Sequence, residues 1–193
     1  MRKIIVLEWI TLDGFFAGAD GGVDWMVWGA EVVEYAKEIY ATADTVLYGK
    51  TTYEGMKNHW TTAASAGEDP EIVDFMNRTH KIVFSKSLEK ADWQNSELVR
   101  EIDPAEIAAL KERPGRDILL LGSGSVVSRL AKTGLIDEYK FLVNPVVLGR
   151  GKTLFQSIEN SVKLEHSSTE TFSNGNVLLC YRPDKKRADN EES

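Results

Sequence analysis

The chain has 193 residues, 42% hydrophobic and 27% charged, with Lys+Arg 23 against Asp+Glu 30 for a net charge of −7. That size and balance describe one soluble domain with a sizeable core, and with no long basic run they argue against a nucleic-acid or anionic-membrane partner. No stretch approaches the ~20 apolar residues of a membrane span, and Glu8 interrupts the apolar start before a signal peptide is complete, so a cytoplasmic enzyme or binding protein is expected. The single cysteine, Cys180, sits in the apolar run Val177 to Tyr181 and reads as a core residue. His59, His80 and His166 have no ligand spacing with one another or with Cys180, so no metal site is expected.

Lys3 to Ile10 form the first strand, apolar on both faces except at Glu8, which places it centrally in a covered sheet. It ends in Thr11-Leu12-Asp13-Gly14, followed by a glycine-rich loop, Gly18 to Gly22. An acidic residue just past a buried strand stands where open α/β sheets put ligands, and equally where a turn with Gly14 would use it. A helix from Ala30 to Ala43 buries Val32, Val33, Ala36, Ile39, Tyr40 and Ala43 on one face. Glu31, Glu34 and Glu38 fall opposite, and Glu31, in the first turn, is the one placed to face a cleft. Trp25 and Trp28 either line a pocket for a planar ring or close the core.

Thr45 to Tyr48 is a short strand that runs into Gly49-Lys50-Thr51-Thr52-Tyr53-Glu54, a helix start for which Thr51 or Thr52 is the expected cap. The same polar junction, with the charge of Lys50, suits a phosphate. Pro70 to Asn77 is a helix, and Lys81 to Phe84 is a strand ending at Ser85-Lys86-Ser87. Glu97 to Ile102 reads as a short edge strand, and Asp103 caps a helix running from Pro104 to about Lys111. Next come a buried strand, Ile118 to Leu121, a turn at Gly122-Ser123-Gly124, and a helix with Val126, Val127, Leu130 and Ala131 at helical spacing. There the first N–H groups of the helix are unpaired and glycine admits a phosphate to the main chain, or the glycines merely allow a tight turn. A Rossmann fingerprint would need a third glycine at Val127 and a place on the first strand, and has neither.

Beyond Gly134 the chain turns to β. Tyr139 to Leu148 and Val177 to Tyr181 are strand-like, Lys163 to Phe172 alternates loosely, and Ser173-Asn174-Gly175-Asn176 makes a hairpin turn. The predicted architecture is α/β: a mixed, mostly parallel sheet with antiparallel C-terminal strands at one edge and helices on both faces, spanning residues 1–183. The charged tail, 184–193, is expected to be disordered.

Five of these pieces in order resemble the dihydrofolate-reductase-like family, and within it the reductase (RibD C-terminal) domain of bifunctional riboflavin biosynthesis enzymes. They are Thr11 to Gly14, Val46 to Glu54, the strand ending at Ser85, the Gly122-Ser123-Gly124 turn, and Asn144 to Phe155; the resemblance covers about Met1 to Pro183. It implies a three-layer α/β/α domain that binds NADPH. Gly49, Lys50, Thr51 and Thr52, with Gly122, Ser123, Gly124, Ser125 and Val126, would grip the phosphates; Ser85 and Lys86 would lie near the adenosine. Leu12 and Asp13 would sit beside the nicotinamide, with Asp13 the candidate catalytic partner and Glu31 a second. Trp25 and the Gly149-Arg150-Gly151 loop are the candidate substrate contacts. Family members commonly carry arginine where Lys50 stands, which leaves NADH open beside NADPH.

The implied function is reduction of a small polar heterocycle or ring-opened sugar, as by 5-amino-6-(5-phosphoribosylamino)uracil reductase. The alternatives are a dihydrofolate reductase and a nicotinamide-nucleotide binding module without turnover. No deaminase zinc signature is present, so the chain corresponds to the reductase half alone. Reductase domains of this type usually pair, and the strands Val177 to Tyr181 and Phe141 to Val143, apolar on both faces, need cover, so a homodimer is expected.

Overall fold

The computed structural model describes residues 1–62, 65–156 and 158–184. Its sheet is built outward from β1 (Ile4–Thr11), buried along almost its whole length as an apolar strand between two neighbours must be. On one side of β1 lie β6 (Asp117–Leu121), β3 (Ala43–Gly49), β4 (His80–Phe84) and β5 (Ser96–Val99), in that order and all parallel. On the other side lie β7 (Glu138–Asn144), parallel to β1, and then the antiparallel β10 (Val177–Pro183) and β9 (Leu164–Thr171). A separate pair, β2 (Phe15–Gly18) with β8 (Gly151–Thr153), stands beyond the end of β1.

Alternation along β1 divides the core in two. Ile5, Leu7 and Trp9 enter the layer formed with α1 (Ala30–Ala41), α2 (Lys50–Trp60) and α3 (Pro70–Arg78). Ile4 and Val6 enter the layer formed with α4 (Pro104–Glu112) and α5 (Gly124–Lys132). The mixed sheet covered on both faces is therefore as expected. No helix among the described residues is long and apolar enough to cross a membrane.

Several boundaries differ from the sequence reading; β5, expected over Glu97 to Ile102, runs Ser96–Val99. α1 stops at Ala41, and Ala43 already belongs to β3. β7 ends at Asn144, because Pro145 brings no N–H to continue a ladder. The β2 and β8 pair is not among the expected strands; a Cβ at Gly151 would lie 2.5 Å from the Ala17 carbonyl oxygen, so glycine is what allows that approach. Asp184 still donates its N–H to the Lys163 carbonyl at 2.9 Å, one residue past the expected boundary, while the rest of the predicted tail, 185–193, lies outside the described residues.

The apolar strands from which a homodimer was argued are both interior to the sheet: β10 is paired with β7 and β9. The outer edge is β9, whose residues from Glu165 to Thr171 are exposed, polar or charged, as an edge strand in water should be.

Candidate active site

The strands β3 and β6 are neighbours, with Leu47 beside Leu120, so the turns leaving their C-terminal ends meet. Ser123 is the joint: its hydroxyl accepts the Gly49 N–H at 2.8 Å in a buried position. Gly122 (φ 62°) and Ser123 (φ 65°) both lie in the left-handed region, costly for a serine and paid back here by that bond. A Cβ at Gly122 would stand 2.7 Å from Thr52 Cγ2, so the two junctions are packed to contact.

From these turns α2 and α5 begin. Neither has a side-chain cap or an acidic residue in its first turn, leaving both positive helix ends open on adjacent strands. The expected threonine cap is corrected: α2 starts at Lys50 with Gly49 at its N-cap, which puts Thr51 and Thr52 inside the first turn. Thr51 is exposed and Thr52 packs against Gly122. At the other turn, the space a Cβ of Gly124 would need is held by the Phe16 ring (3.0 Å) and Leu154 Cα (3.3 Å). Gly124 therefore serves the packing of α5 against the β2 and β8 pair. Val126 is buried against Gly49, and Ser125 is exposed at the rim.

Lys50 Nζ reaches Ser87 Oγ at 3.4 Å and so bridges to the turn after β4. In that turn the Ser85 hydroxyl accepts the N–H groups of Ser87 (3.2 Å) and Leu88 (2.9 Å), and is consumed locally. Lys86 is exposed and paired with Glu101 at 2.6 Å.

At the exit of β1, Leu12 is exposed and its N–H donates to the Val146 carbonyl at 2.9 Å. Asp13 accepts from Thr11 Oγ1 (2.6 Å), Gly149 N (2.7 Å) and Leu148 N (3.3 Å). The Thr11 hydroxyl, and then the loop N–H groups, hold its carboxyl below the usual range. That clasp fixes the β7–β8 loop, and it keeps the carboxyl ionised near neutral pH, with no proton to hand to a substrate. Gly149 is part of the clasp, Arg150 is exposed, and Gly151 belongs to the β2 pairing. Glu31 is likewise a tie: it accepts from the Ser173 hydroxyl and from Ser173 N (2.7 Å), which hold it below the usual carboxylate range.

Trp25 is half-buried against the core and donates to the Gly22 carbonyl at 3.3 Å. The tryptophan with a free face is Trp28, half exposed, its ring centroid 5.0 Å from that of the buried Trp9. Two asparagines, which the sequence reading places in motifs without a role at the site, set this segment. Asn144, fully buried, accepts the Val27 N–H at 2.8 Å, and Asn176 donates to the Val27 carbonyl at 2.7 Å, so the ends of β7 and β10 pin one residue from both sides.

The polar groups of the two sheet ends contrast. At the N-terminal end, buried Arg2 donates to Thr45 Oγ1 (2.7 Å) and pairs with Asp44, and buried Lys111 pairs with Asp137 at 2.6 Å. At the C-terminal end, Glu8 Oε2, Trp9 Nε1, Asn174 Nδ2 and Asn176 Oδ1 are buried with no partner. Two more such atoms lie elsewhere, Tyr35 Oη on α1 and Ser96 Oγ at the start of β5, so four of the six fall at this end. Two surface cavities of about 550 and 540 Å³ lie elsewhere, between Trp60, Asn77, Trp93 and Gln94 and between Lys37, Tyr40, Phe75 and Arg116. Neither is lined by these strand-end residues, and chemistry, not depth, selects the site.

A family model described as the RibD C-terminal domain matches residues 2–178. The uncharacterized protein YyaP of Bacillus subtilis is 33% identical over 190 residues, covering 93% of this chain and 94% of that protein. A solved deaminase/5-amino-6-(5-phosphoribosylamino)uracil reductase of Thermotoga maritima superposes with TM-score 0.67 at 20% identity, over 94% of this chain and 56% of that one. Dihydrofolate reductase of Enterococcus faecalis, solved with NADP(H), superposes with TM-score 0.63 at 17% identity, over 95% of this chain and 97% of that one. The fold is thus the α/β dihydrofolate-reductase-like fold of these reductases.

Proposed function

This chain belongs to the RibD C-terminal domain family, and from that premise we propose that it is an NADPH-dependent reductase of a small, polar, nitrogen-rich ring or ring-opened sugar derivative. The observation that carries the reading is the pair of open helix ends joined by the Ser123 to Gly49 bond. Two positive ends side by side suit a pyrophosphate, and Lys50 adds a cation at the rim. The bound nucleotide would supply a hydride. The residues of this chain bind and orient: α2 and α5 take the phosphates, and the exit of β1 carries the ring end. On the substrate side the free face of Trp28 offers stacking. Trp9 Nε1 and Asn174 Nδ2 are donors and Asn176 Oδ1 is an acceptor, a set that complements the amide-like edge of a pyrimidine.

The engagement of Glu31 with Ser173 counts against a dihydrofolate reductase, which needs a carboxyl facing its ring at the start of this helix. The same engagement of Asp13 favours, as the second reading, a nicotinamide-nucleotide binding module without turnover. Titrating NADPH and NADH by nicotinamide fluorescence tests the binding: saturable binding is expected, and none at millimolar nucleotide overturns the proposal. Absorbance of NADPH over a panel of pyrimidines, pterins and quinones then separates the readings, since binding with no oxidation on any of them leaves the module.

A further inference from the structure

Glu8 is the one charged residue of β1 and lies on the face shared by Ile4 and Val6. Its register partner on β7 is Phe141; on the β6 side Leu7 pairs with Leu121, so the residue beside Glu8 is Gly122 of the glycine turn. Glu8 is 4% exposed, the Gly122 N–H faces its carboxyl, and Oε2 has no partner. No cation compensates it. Lys140 of β7 points to the other face, towards Cys180; Lys50 of α2 turns to Ser87; Arg129 and Lys132 of α5 are exposed; β2 has no ionisable residue and Lys152 of β8 lies by Gly21. The remaining ionisable neighbours are the buried tyrosines Tyr139 of β7 and Tyr40 of α1, the latter feeling the charge of Glu8. A carboxyl in such a place costs stability that an apolar residue would not, so stability does not account for it.

We propose that Glu8 is the positioning residue of the phosphate-binding turn: from beside Gly122 its carboxyl takes the Gly122 N–H and leaves the open end of α5 to an anion. This rests on the reading of the strand ends as a nicotinamide-nucleotide site. Burial pushes the carboxyl well above the usual range, opposed by the Gly122 N–H. Once ionised, it places a negative charge in a low-dielectric setting next to the turn that receives a pyrophosphate, and the two repel. Nucleotide binding and loss of the Glu8 proton therefore compete, and by linkage binding at alkaline pH takes one proton from solvent onto this carboxylate. Glutamine keeps the acceptor and cannot ionise.

The test is NADPH titration of the whole chain by fluorescence from pH 7 to 10, above the second phosphate ionisation near ~6. The wild-type Kd is expected to rise ~3-fold or more across this range, and Glu8→Gln to hold the neutral-pH affinity within about twofold while losing the rise. Glu8→Leu, which removes the acceptor, should weaken binding at every pH without lowering the thermal midpoint, a split that a purely structural role would not give. Parallel pH profiles for wild type and Glu8→Gln overturn the proposal. Should Glu8→Gln fail to fold, calorimetry of wild type at pH 9 in two buffers of different ionisation enthalpy decides it: proton uptake supports the proposal and zero uptake overturns it. Wild type that binds no NADPH at any pH removes the nucleotide-site reading and this inference with it, a result distinct from binding that ignores Glu8.

Discussion

Among the described residues, four of the five helices form two contrasting pairs. α3 and α4 open in the ordinary way for soluble helices, with Asp69 and Asp103 accepting first-turn N–H groups, proline within the first two positions, and Glu71 or Glu106 in the first turn. α2 and α5 open on Gly49 and Ser123 with none of this, and the one hydroxyl available, that of Ser123, is turned sideways onto Gly49. α1 stands between the two kinds, uncapped at Gly29 but with Glu31 in its first turn. The sequence that caps two helices so fully leaves open the two that sit on neighbouring strands. A helix end closed by its own carboxylate has no use for an external anion; the open pair is where the proposal places one.

Gly122→Val should break the comparison most severely. The left-handed φ costs a branched residue about 1–2 kcal/mol and the 2.7 Å approach to Thr52 adds an overpacking cost of about 1–3 kcal/mol. Thermal unfolding should show a midpoint lower by several degrees, and NADPH affinity should fall more than tenfold. A folded variant with wild-type affinity would show that the turn takes no phosphate. Gly124→Val is the less informative neighbour, because its side chain meets Phe16 and Leu154 and would disturb α5 whether or not a ligand binds.

The next comparison sets a joint against two caps. Ser123→Ala leaves the buried Gly49 N–H without an acceptor, at about 1–3 kcal/mol, and loosens one junction against the other, so Kd should rise severalfold. Asp69→Ala and Asp103→Ala should each cost about 1 kcal/mol of stability and leave Kd unchanged. Denaturant unfolding beside fluorescence titration measures both quantities. If Asp103→Ala moved Kd as far as Ser123→Ala does, the distinction between the pairs would collapse.

What the sequence made legible is what local pattern encodes. The apolar run of β1, the Asp103 cap and the Ser173 to Asn176 turn all carry their own signals over a few residues. The β2 and β8 pair does not: it joins short, glycine-bearing segments more than a hundred residues apart, with no period to betray them. Thr51 and Thr52 looked like caps because a helix starting two residues later would use them; the extended Gly49 sets the start earlier. The Leu12-Asp13-Gly14 motif placed a carboxylate at a strand end, but whether its oxygens were free depended on Leu148 and Gly149. Glu8 was visible as the break in an apolar strand. Its meaning needed the strand order, which puts Gly122 beside it.

The smallest expected effect sharpens the α2 half of the comparison. Lys50 is the first residue of its helix, partly exposed, with its ammonium 3.4 Å from the Ser87 hydroxyl and in no ion pair among the described residues. If α2 receives phosphate, Lys50 adds a solvent-screened charge to what the backbone already provides. Removing it in Lys50→Ala should then raise the NADPH Kd about 2- to 5-fold, the range of an exposed ionic contact of up to about 1 kcal/mol. Screening supplies the second readout: with a Debye length of about 10 Å at 0.1 M salt, the wild type should lose affinity as salt rises, and the variant should lose less of it. Lys50→Arg keeps the charge and should keep the salt dependence. Equal affinity and equal salt dependence in wild type and Lys50→Ala would mean that no phosphate comes within a Debye length of this ammonium. The open end of α2 would then be a consequence of its packing against Gly122, and α5 alone would remain as the anion site.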